Sequence, residues 1–128
     1  MPASGHRTPE AVCLALSTAL TSADLDAALA CFARRAHFLT PDGTPVEGRD
    51  GLRDVLLQLV AMRVAIRTEF RRAIDLGELA IVSETWHTRY ASPVDGEPRR
   101  QESRAFSLHR NVDRDGWKIL FLAPWGFS

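Results

Sequence analysis

The feature that most constrains this 128-residue chain is a change in the spacing of its apolar residues near Met62. Before that point apolar side chains recur every three or four residues, which is the period of an amphipathic helix. After it Val64, Ile66, Thr68 and Phe70 occupy every second position, which is the period of a strand. The sequence therefore predicts a helical first half followed by a run of strands.

Three helices are predicted in the first half. Thr8-Pro9-Glu10 marks a helix start, with threonine as N-cap, proline at the first helical position and an acid in the first turn. A second helix starts within "TSADLD" and ends at Phe32. A third starts within "VEGRDGL", with Asp50 as its N-cap. The apolar stripes that would face the core comprise Val12, Ala15, Leu16, Ala19 and Leu20, then Leu25, Ala28, Leu29 and Phe32, then Leu52, Val55, Leu56, Leu59 and Val60.

A short strand, Ala36 to Thr40, is predicted between the second and third helices, where it runs into a Pro-Asp-Gly turn. Longer strands follow in "ELAIVSETWHTRYAS", "RQESRAFSLHRNV" and "WKILFLAPW", joined by "SPVDGEP" and "RDG". Consecutive strands with short turns form an antiparallel meander. The predicted fold class is therefore α+β, with three N-terminal helices packed into a mainly antiparallel sheet and a pocket between them. We expect one domain over residues 9–128 and a flexible tail over residues 1–8.

Composition excludes several classes of function. Lysine plus arginine equals aspartate plus glutamate at 16 each, so the chain lacks the one-sided basic charge of a nucleic-acid-binding protein. It has no apolar run long enough to cross a membrane and no secretory signal, which predicts a cytoplasmic protein. Cys13 and Cys31 are expected to be buried thiols rather than a disulfide.

Specific stretches resemble a known superfamily. "ADLDAALACFARRAHFLTPDGTPVEGRDGLRDVL" is similar to the opening of SnoaL-like, nuclear-transport-factor-2-like (NTF2-like) domains. "GELAIVSETW" and "RDGWKILFLAPWG" resemble later strands of the DUF4440 branch, which includes the YybH-like and SgcJ/EcaC-like groups. The resemblance spans about residues 9–127 and implies a cone of curved sheet around helices, often dimeric. It fixes no activity, because the superfamily includes isomerases, cyclases, hydrolases, dehydratases and members without known chemistry.

Comparison with the ketosteroid isomerase branch implies that the catalytic residues of that branch are missing. Its tyrosine falls on Leu16, its basic aspartate on Thr40 and its protonated aspartate on Arg104. A threonine hydroxyl cannot act as a base near neutral pH, and an arginine stays protonated. The resemblance therefore does not extend to a steroid isomerase site.

Strand alternation predicts which other side chains would face the pocket. If Thr40 points inward, so do Ala36 and Phe38, whereas His37 points outward. On the later strands the same alternation predicts a further set of inward residues. They are Ile81, Ser83, Thr85, His87, Arg89, Arg104, Phe106, Leu108, Trp117, Ile119, Phe121, Ala123 and Trp125. From these we predict His87 as a general acid or base, because histidine titrates near neutrality. The predicted ligand-binding residues are Arg104, Thr40, Phe38, Phe106, Phe121, Trp125, Trp117 and Arg89.

The predicted function is binding of a small organic ligand, with no metal or cofactor, in one of several settings. The domain is interpreted as a cofactor-free acid/base enzyme of the isomerase, cyclase or hydratase type, or as a non-catalytic binding or dimerisation module. Val82, Trp86, Leu120 and Leu122 fall on the predicted outer face of the sheet. An apolar outer face needs a partner, which predicts a homodimer.

Overall fold

The computed structural model describes residues 6–112 and 116–125, which form helices packed on a six-stranded sheet. The elements in chain order are α1 Pro9–Thr21, α2 Leu25–Ala30, β1 Phe32–Leu39, β2 Pro45–Glu47, α3 Gly48–Ala61, β3 Ala65–Asp75, β4 Leu79–Ala91, β5 Pro98–Asn111 and β6 Trp117–Ala123. The strand order across the sheet is β2-β1-β6-β5-β4-β3, and β1 with β6 is the parallel pair.

The predicted change from helix to strand is confirmed, because α3 ends at Ala61 and β3 begins at Ala65. The α+β fold class is confirmed with it. The third helix is nevertheless separated from the first two by β1 and β2, and β2 was not predicted. Phe32, expected to end a helix, instead begins β1, because its backbone lies beside Ile119 of β6.

Local signals at the helix ends are partly confirmed. The Thr8 side chain accepts a hydrogen bond of 3.1 Å from the backbone N–H of Ala11, as expected for the N-cap of α1. Helix α3 starts three residues earlier than predicted, at Gly48, with Glu47 rather than Asp50 at the N-cap position. The helical stripes pack on one face of the sheet, in a core that includes Val12, Leu16, Leu20, Phe32, Phe38, Leu52, Leu56, Trp86, Ile119 and Leu122.

The alternation predicted for β4 is wrong. Trp86 belongs to the core beneath the helices, and Val82 and Glu84 on the same face are buried. His87 and its alternating neighbours therefore lie on the opposite face of the sheet. Both alternating sets of β4 mix apolar and polar residues, and the larger apolar area of Trp86 decides which set is buried.

A register shift changes the alternation again in β6. Leu108 of β5 pairs with Phe121, whereas the next residue, His109, pairs with Ile119, so Leu120 is an extra residue in β6. Ile119 and Leu122 consequently both face the core, and Phe121 pairs on the opposite face. Simple alternation from Ile119 predicted Phe121 inward and Leu122 outward, and it fails because of this bulge.

The expected tail and the last turn lie partly outside the described residues. The predicted tail over residues 1–8 includes residues 1–5, and the predicted "RDG" turn includes residues 114 and 115, none of which the structure describes. His6 is described, and its carbonyl accepts a hydrogen bond of 3.0 Å from the backbone N–H of Trp117.

Candidate functional site

A cluster of polar side chains is buried between α1 and the sheet. The Thr68 hydroxyl donates a hydrogen bond of 2.5 Å to the carboxyl of Glu84. Cys13, which projects from α1, lies 3.5 Å from His109 Nε2 and 3.8 Å from Ser107 Oγ. Ser107 Oγ lies 2.7 Å from the same His109 nitrogen. These contacts join α1, β3, β4 and β5, and we call the five residues the buried polar cluster.

Glu84 is the acid at the centre of this cluster. Glu84 is only 1% exposed to solvent. Burial raises the pKa of the Glu84 carboxyl, and nearby groups on Thr68, Cys13 and Trp86 oppose that rise. The indole Nε1 of Trp86 is buried and has no hydrogen-bond partner within normal distance among the described residues. Glu84 is thus a carboxyl whose surroundings favour the protonated form.

His109 is buried in the same cluster and favours its neutral form. Burial lowers the pKa of His109 to about 4. Its Nδ1 atom is buried, and residues 6–112 and 116–125 offer it no hydrogen-bond partner. Burial also raises the pKa of the Cys13 thiol, which makes that sulfur a poor nucleophile at neutral pH.

An open groove lies elsewhere, where β3, β4 and β5 meet the end of α1. It is a groove of about 560 Å³, which we call the His87 groove. Its lining residues are Thr21, Ala65, Ile66, Arg67, His87, Thr88, Arg89, Arg100, Gln101 and Glu102. The predicted site residues His87 and Arg89 therefore both line this groove, whose wall also includes Thr21 at the end of α1.

Two carboxylates hold the His87 imidazole in place. Its Nε2 atom lies 2.6 Å from Glu69 Oε1, and its Nδ1 atom lies 3.5 Å from Glu102 Oε1. The hydrogen bond from His87 holds the pKa of Glu69 below its usual range. The His87 side chain is 28% exposed, so it is accessible to a molecule in the groove.

A second hollow of about 610 Å³ adjoins the first, and we call it the arginine groove. It shares Ala65, Arg89 and Arg100 with the His87 groove. Its other lining residues are Arg63, Tyr90, Ala91, Gly96, Pro98 and Arg99. The two hollows therefore adjoin each other at this end of the sheet.

Thr40 does not reach either groove. It closes the turn between β1 and β2, where its hydroxyl donates to the Asp42 carboxylate and its backbone N–H donates to the Thr44 carbonyl at 3.0 Å. Hydrogen bonds donated to Asp42 by Thr40 and Thr44 hold the pKa of its carboxyl below the usual range. Thr40 and Asp42 are accounted for as turn residues.

Three predicted aromatic residues pack as part of the core or against it. Phe38 is fully buried, and its ring packs edge-to-face on that of Trp125, with centroids 5.7 Å apart. Trp117 is partly buried against the same core. The inward prediction for these side chains holds, but none of the three lines either described groove.

The prediction that Arg104, Phe106 and Phe121 face the helices is wrong. Ala105 is fully buried in the core beneath the helices, so its neighbours Arg104 and Phe106 point to the other face. Phe121 pairs with Leu108 on that outer face, beyond the bulge in β6. Arg104 is exposed and lines neither described groove.

The sequence did not predict that Glu84, His109 and Cys13 lie close together. Cys13 and His109 are 96 positions apart, and only the packing of α1 on β5 joins them. One signal was available, since Glu84 shares an alternating set with Val82 and Trp86. A carboxyl in the more apolar set of a half-buried strand predicts a buried acid.

The described part of the chain offers neither a group of metal ligands nor a membrane-spanning helix. Within residues 6–112 and 116–125, no three His, Cys, Asp or Glu side chains are grouped as metal ligands. Over the same residues, no helix combines the length and apolarity needed to cross a bilayer.

Solved structures of known proteins share this architecture. A ketosteroid isomerase-like protein from Erwinia carotovora atroseptica is 20% identical, with a TM-score of 0.79 and 89% of each chain covered. An NTF2-like superfamily protein from Salmonella enterica serovar Typhimurium is 13% identical, with a TM-score of 0.77 over 88% of this chain and 83% of that one. A cystatin-like-fold domain from Nostoc punctiforme is 17% identical, with a TM-score of 0.73 over 92% and 75%.

Helices on one face of a six-stranded mixed sheet, together with these likenesses, define an NTF2-like, cystatin-like α+β domain. Within that class the chain belongs to the SnoaL-like domain family, whose model matches residues 14–119. No curated protein sequence matches the chain. At these identities the solved structures establish the fold and leave the activity open.

The raised pKa of Glu84 predicts how stability depends on pH. The unfolded chain loses this proton near pH 4.5, whereas the folded protein retains it to higher pH. Folding therefore loses stability as pH rises from about 4.5 through the folded pKa of Glu84. Glu84→Gln matches the protonated carboxyl in shape and cannot ionise, so the variant should gain stability over the wild type, increasingly so at higher pH.

Urea unfolding over about pH 5–9 measures the difference in the free energy of unfolding, with Glu102→Gln as the exposed control. Equal pH profiles for wild type and Glu84→Gln would show that Glu84 does not carry a buried proton.

The lowered pKa of His109 predicts the opposite dependence on the acid side. The unfolded chain takes up this proton near pH 6.5, whereas the folded protein resists it to about pH 4. Stability is therefore lost as pH falls between these values, by up to about 3 kcal/mol. His109→Gln should flatten this acid limb in the same unfolding series. An unchanged limb would assign the acid sensitivity to other groups.

Proposed function

We propose that this domain binds a small organic molecule in the His87 groove. The observation that carries the proposal is an open groove of about 560 Å³ in which an accessible histidine lies beside apolar and charged walls. A few polar groups on a partly apolar surface are typical of small-molecule sites. Membership of the SnoaL-like family supports a ligand-binding role without specifying the ligand.

The packing beneath the helices favours the groove, rather than a pocket between helices and sheet, as the ligand-binding site. Trp86, Phe38 and their neighbours fill the space between helices and sheet with buried side chains. The His87 groove reaches solvent at the edge of that packing, where Thr21, Ile66 and Gln101 contribute to its wall. A ligand there would contact β3, β4 and β5 without displacing the core.

Binding in this groove is tested with small organic fragments of mixed charge. We expect fragments to shift the backbone amide NMR signals of Ile66, His87 and Gln101. Ala65→Trp should abolish these shifts, because it places an indole in the groove that Ala65 lines. The strand should stay intact, because aromatic residues are favoured in strands. Thr44→Trp, in the distant β1–β2 turn, is the matched control. Fragment shifts confined to other surfaces would contradict the proposed site.

A cofactor-free acid/base enzyme of the isomerase, cyclase or hydratase type is the second candidate function. It is favoured by the 2.6 Å contact between His87 Nε2 and Glu69 Oε1. A carboxylate that holds one ring nitrogen orients the imidazole for proton transfer at the other nitrogen. In this role His87 would move a proton on a ligand in the groove.

The acid/base role is tested by proton exchange on bound ketone fragments. With His87 as the base, exchange of the hydrogens next to the carbonyl should fall about 10²–10⁴-fold in His87→Ala. Glu69→Gln keeps the imidazole and should lower the rate less. Deuterium incorporation followed by NMR measures both variants. Exchange that is unchanged in His87→Ala would leave the domain a binding module.

We also propose a homodimer, through an outer-face surface that differs from the predicted one. Val82, Trp86 and Leu122, three of the four residues expected to form the contact, are buried in this chain. An apolar row crosses the other face of the sheet through successive cross-strand pairs, and it consists of Ile74, Ile81, Leu108 and Phe121. Ile74 is 44% and Ile81 37% exposed, so the row offers apolar area to a second copy.

Substitution at Ile81 tests the dimer. Ile81→Arg places a charge in the centre of the apolar row and should raise the dimer Kd at least about tenfold. Ile81→Val keeps an apolar side chain and should leave the Kd nearly unchanged. Sedimentation velocity at micromolar concentration measures both. A wild-type protein that is monomeric under those conditions would refute the dimer.

Two finer assignments accompany this proposal. The stretches "GELAIVSETW" and "RDGWKILFLAPWG" support placement in the DUF4440 branch of the family. The balanced charge and the unpaired, buried thiols Cys13 and Cys31 support a cytoplasmic location.

A further inference from the structure

Several arginines line the arginine groove. Arg89 on β4 and Arg100 on β5 are direct cross-strand partners. Side chains in such a pair start about 4.5–5.5 Å apart at Cβ, and like charges placed there destabilise the sheet. The sequence hides this pair, since the two arginines are brought together only by the register of β4 on β5.

A third arginine, Arg63, lines the same hollow from the loop between α3 and β3. The backbone N–H of Ala91 donates a hydrogen bond of 2.8 Å to the carbonyl of Met62, which fixes this loop beside the end of β4. Arg63 has a φ of 53°, a left-handed conformation in which glycine is favoured after a helix. An arginine therefore occupies a position where the backbone alone would favour glycine.

In the described part of the chain, these three arginines have no carboxylate partner within ion-pair distance. Among the described residues, none of the ion pairs includes Arg63, Arg89 or Arg100. The nearby acids face other groups, since Glu69 and Glu102 flank His87 and Asp95 binds Arg99 at 2.9 Å. The two grooves together are lined by five arginines and one carboxylate, so their field is positive.

We propose that Arg63, Arg89 and Arg100 bind the anionic group, carboxylate or phosphoryl, of a small organic ligand whose remaining part lies in the His87 groove. The proposal rests on the proposed function and names the class of ligand for that site. Guanidinium groups bind the oxygens of either anion through paired hydrogen bonds. The two hollows share Ala65, Arg89 and Arg100, so a molecule bound in the His87 groove lies next to the arginines of the arginine groove. A bound anion would also offset the repulsion between Arg89 and Arg100.

The experiment compares benzoate and phenyl phosphate with benzamide, a neutral molecule of the same shape as benzoate. Isothermal titration of the full chain should show both anions binding about tenfold or more tightly than benzamide. The preference should decrease with added salt, because the arginines are accessible to solvent ions. The tighter of the two anions identifies whether the natural ligand carries a carboxylate or a phosphoryl group.

Three variants separate anion binding from folding. Arg100→Gln removes one member of the like-charged pair, and Arg63→Gly removes a charge while relaxing the left-handed backbone. Each should weaken benzoate about tenfold or more while leaving the melting temperature of the ligand-free protein unchanged or raised. Arg35→Gln, at an exposed position on β1, is the matched control and should alter neither quantity.

The outcomes distinguish this inference from the proposed function. If benzamide and benzoate bind the His87 groove equally and the arginine variants change neither, the anion site is refuted and the small-molecule site stands. If no probe binds, both proposals fail. A fall in melting temperature in both arginine variants would assign the arginines to folding and refute the anion site. If the variants change the dimer Kd but leave benzoate binding unchanged, the arginines pair with carboxylates of a second copy and the inference is wrong.

Discussion

The packing of Trp86 beneath the helices is the constraint on which the rest of this structure depends. Burying this indole fixes which face of β4 meets α1, and the antiparallel pairs of β4 carry the choice to β3 and β5. Truncating a buried tryptophan costs about 3–5 kcal/mol, whereas exposing an isoleucine such as Ile81 forfeits about 1.5–3 kcal/mol. The face that carries Trp86 therefore goes inward even though it takes Glu84 with it.

The burial of Glu84 follows from that choice and explains the polar cluster around it. An ionised carboxylate at this depth would be costly, so the site favours the protonated form and surrounds it with Thr68 and Cys13. His109, on the neighbouring strand, is kept neutral by the same burial. The ionisable groups closest to the helices are therefore the ones least ready to exchange charge with a ligand.

The outer face receives the opposite set of residues and divides into two regions. The row from Ile74 to Phe121 is apolar, whereas the end of the sheet that bears His87, Arg89 and Arg100 is charged. An apolar region suits a protein partner, and a charged groove suits a small polar ligand. The fold permits a protein partner and a small ligand to bind at once, because the two regions lie at different positions along the same strands.

The sequence by itself determined the helix-to-strand change near Met62, the helical stripes, the Thr8 cap and the α+β class, since each depends on neighbours within a few positions. It also predicted His87 and Arg89 as partners in one site, because their spacing of two places them on one face of a strand. Only the tertiary structure decided which face that was. The set with Trp86 and the set with His87 are both mixed in polarity, and the bulge at Leu120 reverses the alternation of β6 without a sequence signal. The approach of Arg63 to Arg89 and Arg100, and of Cys13 to His109, depends on strand register and helix packing between distant segments, which local patterns do not encode.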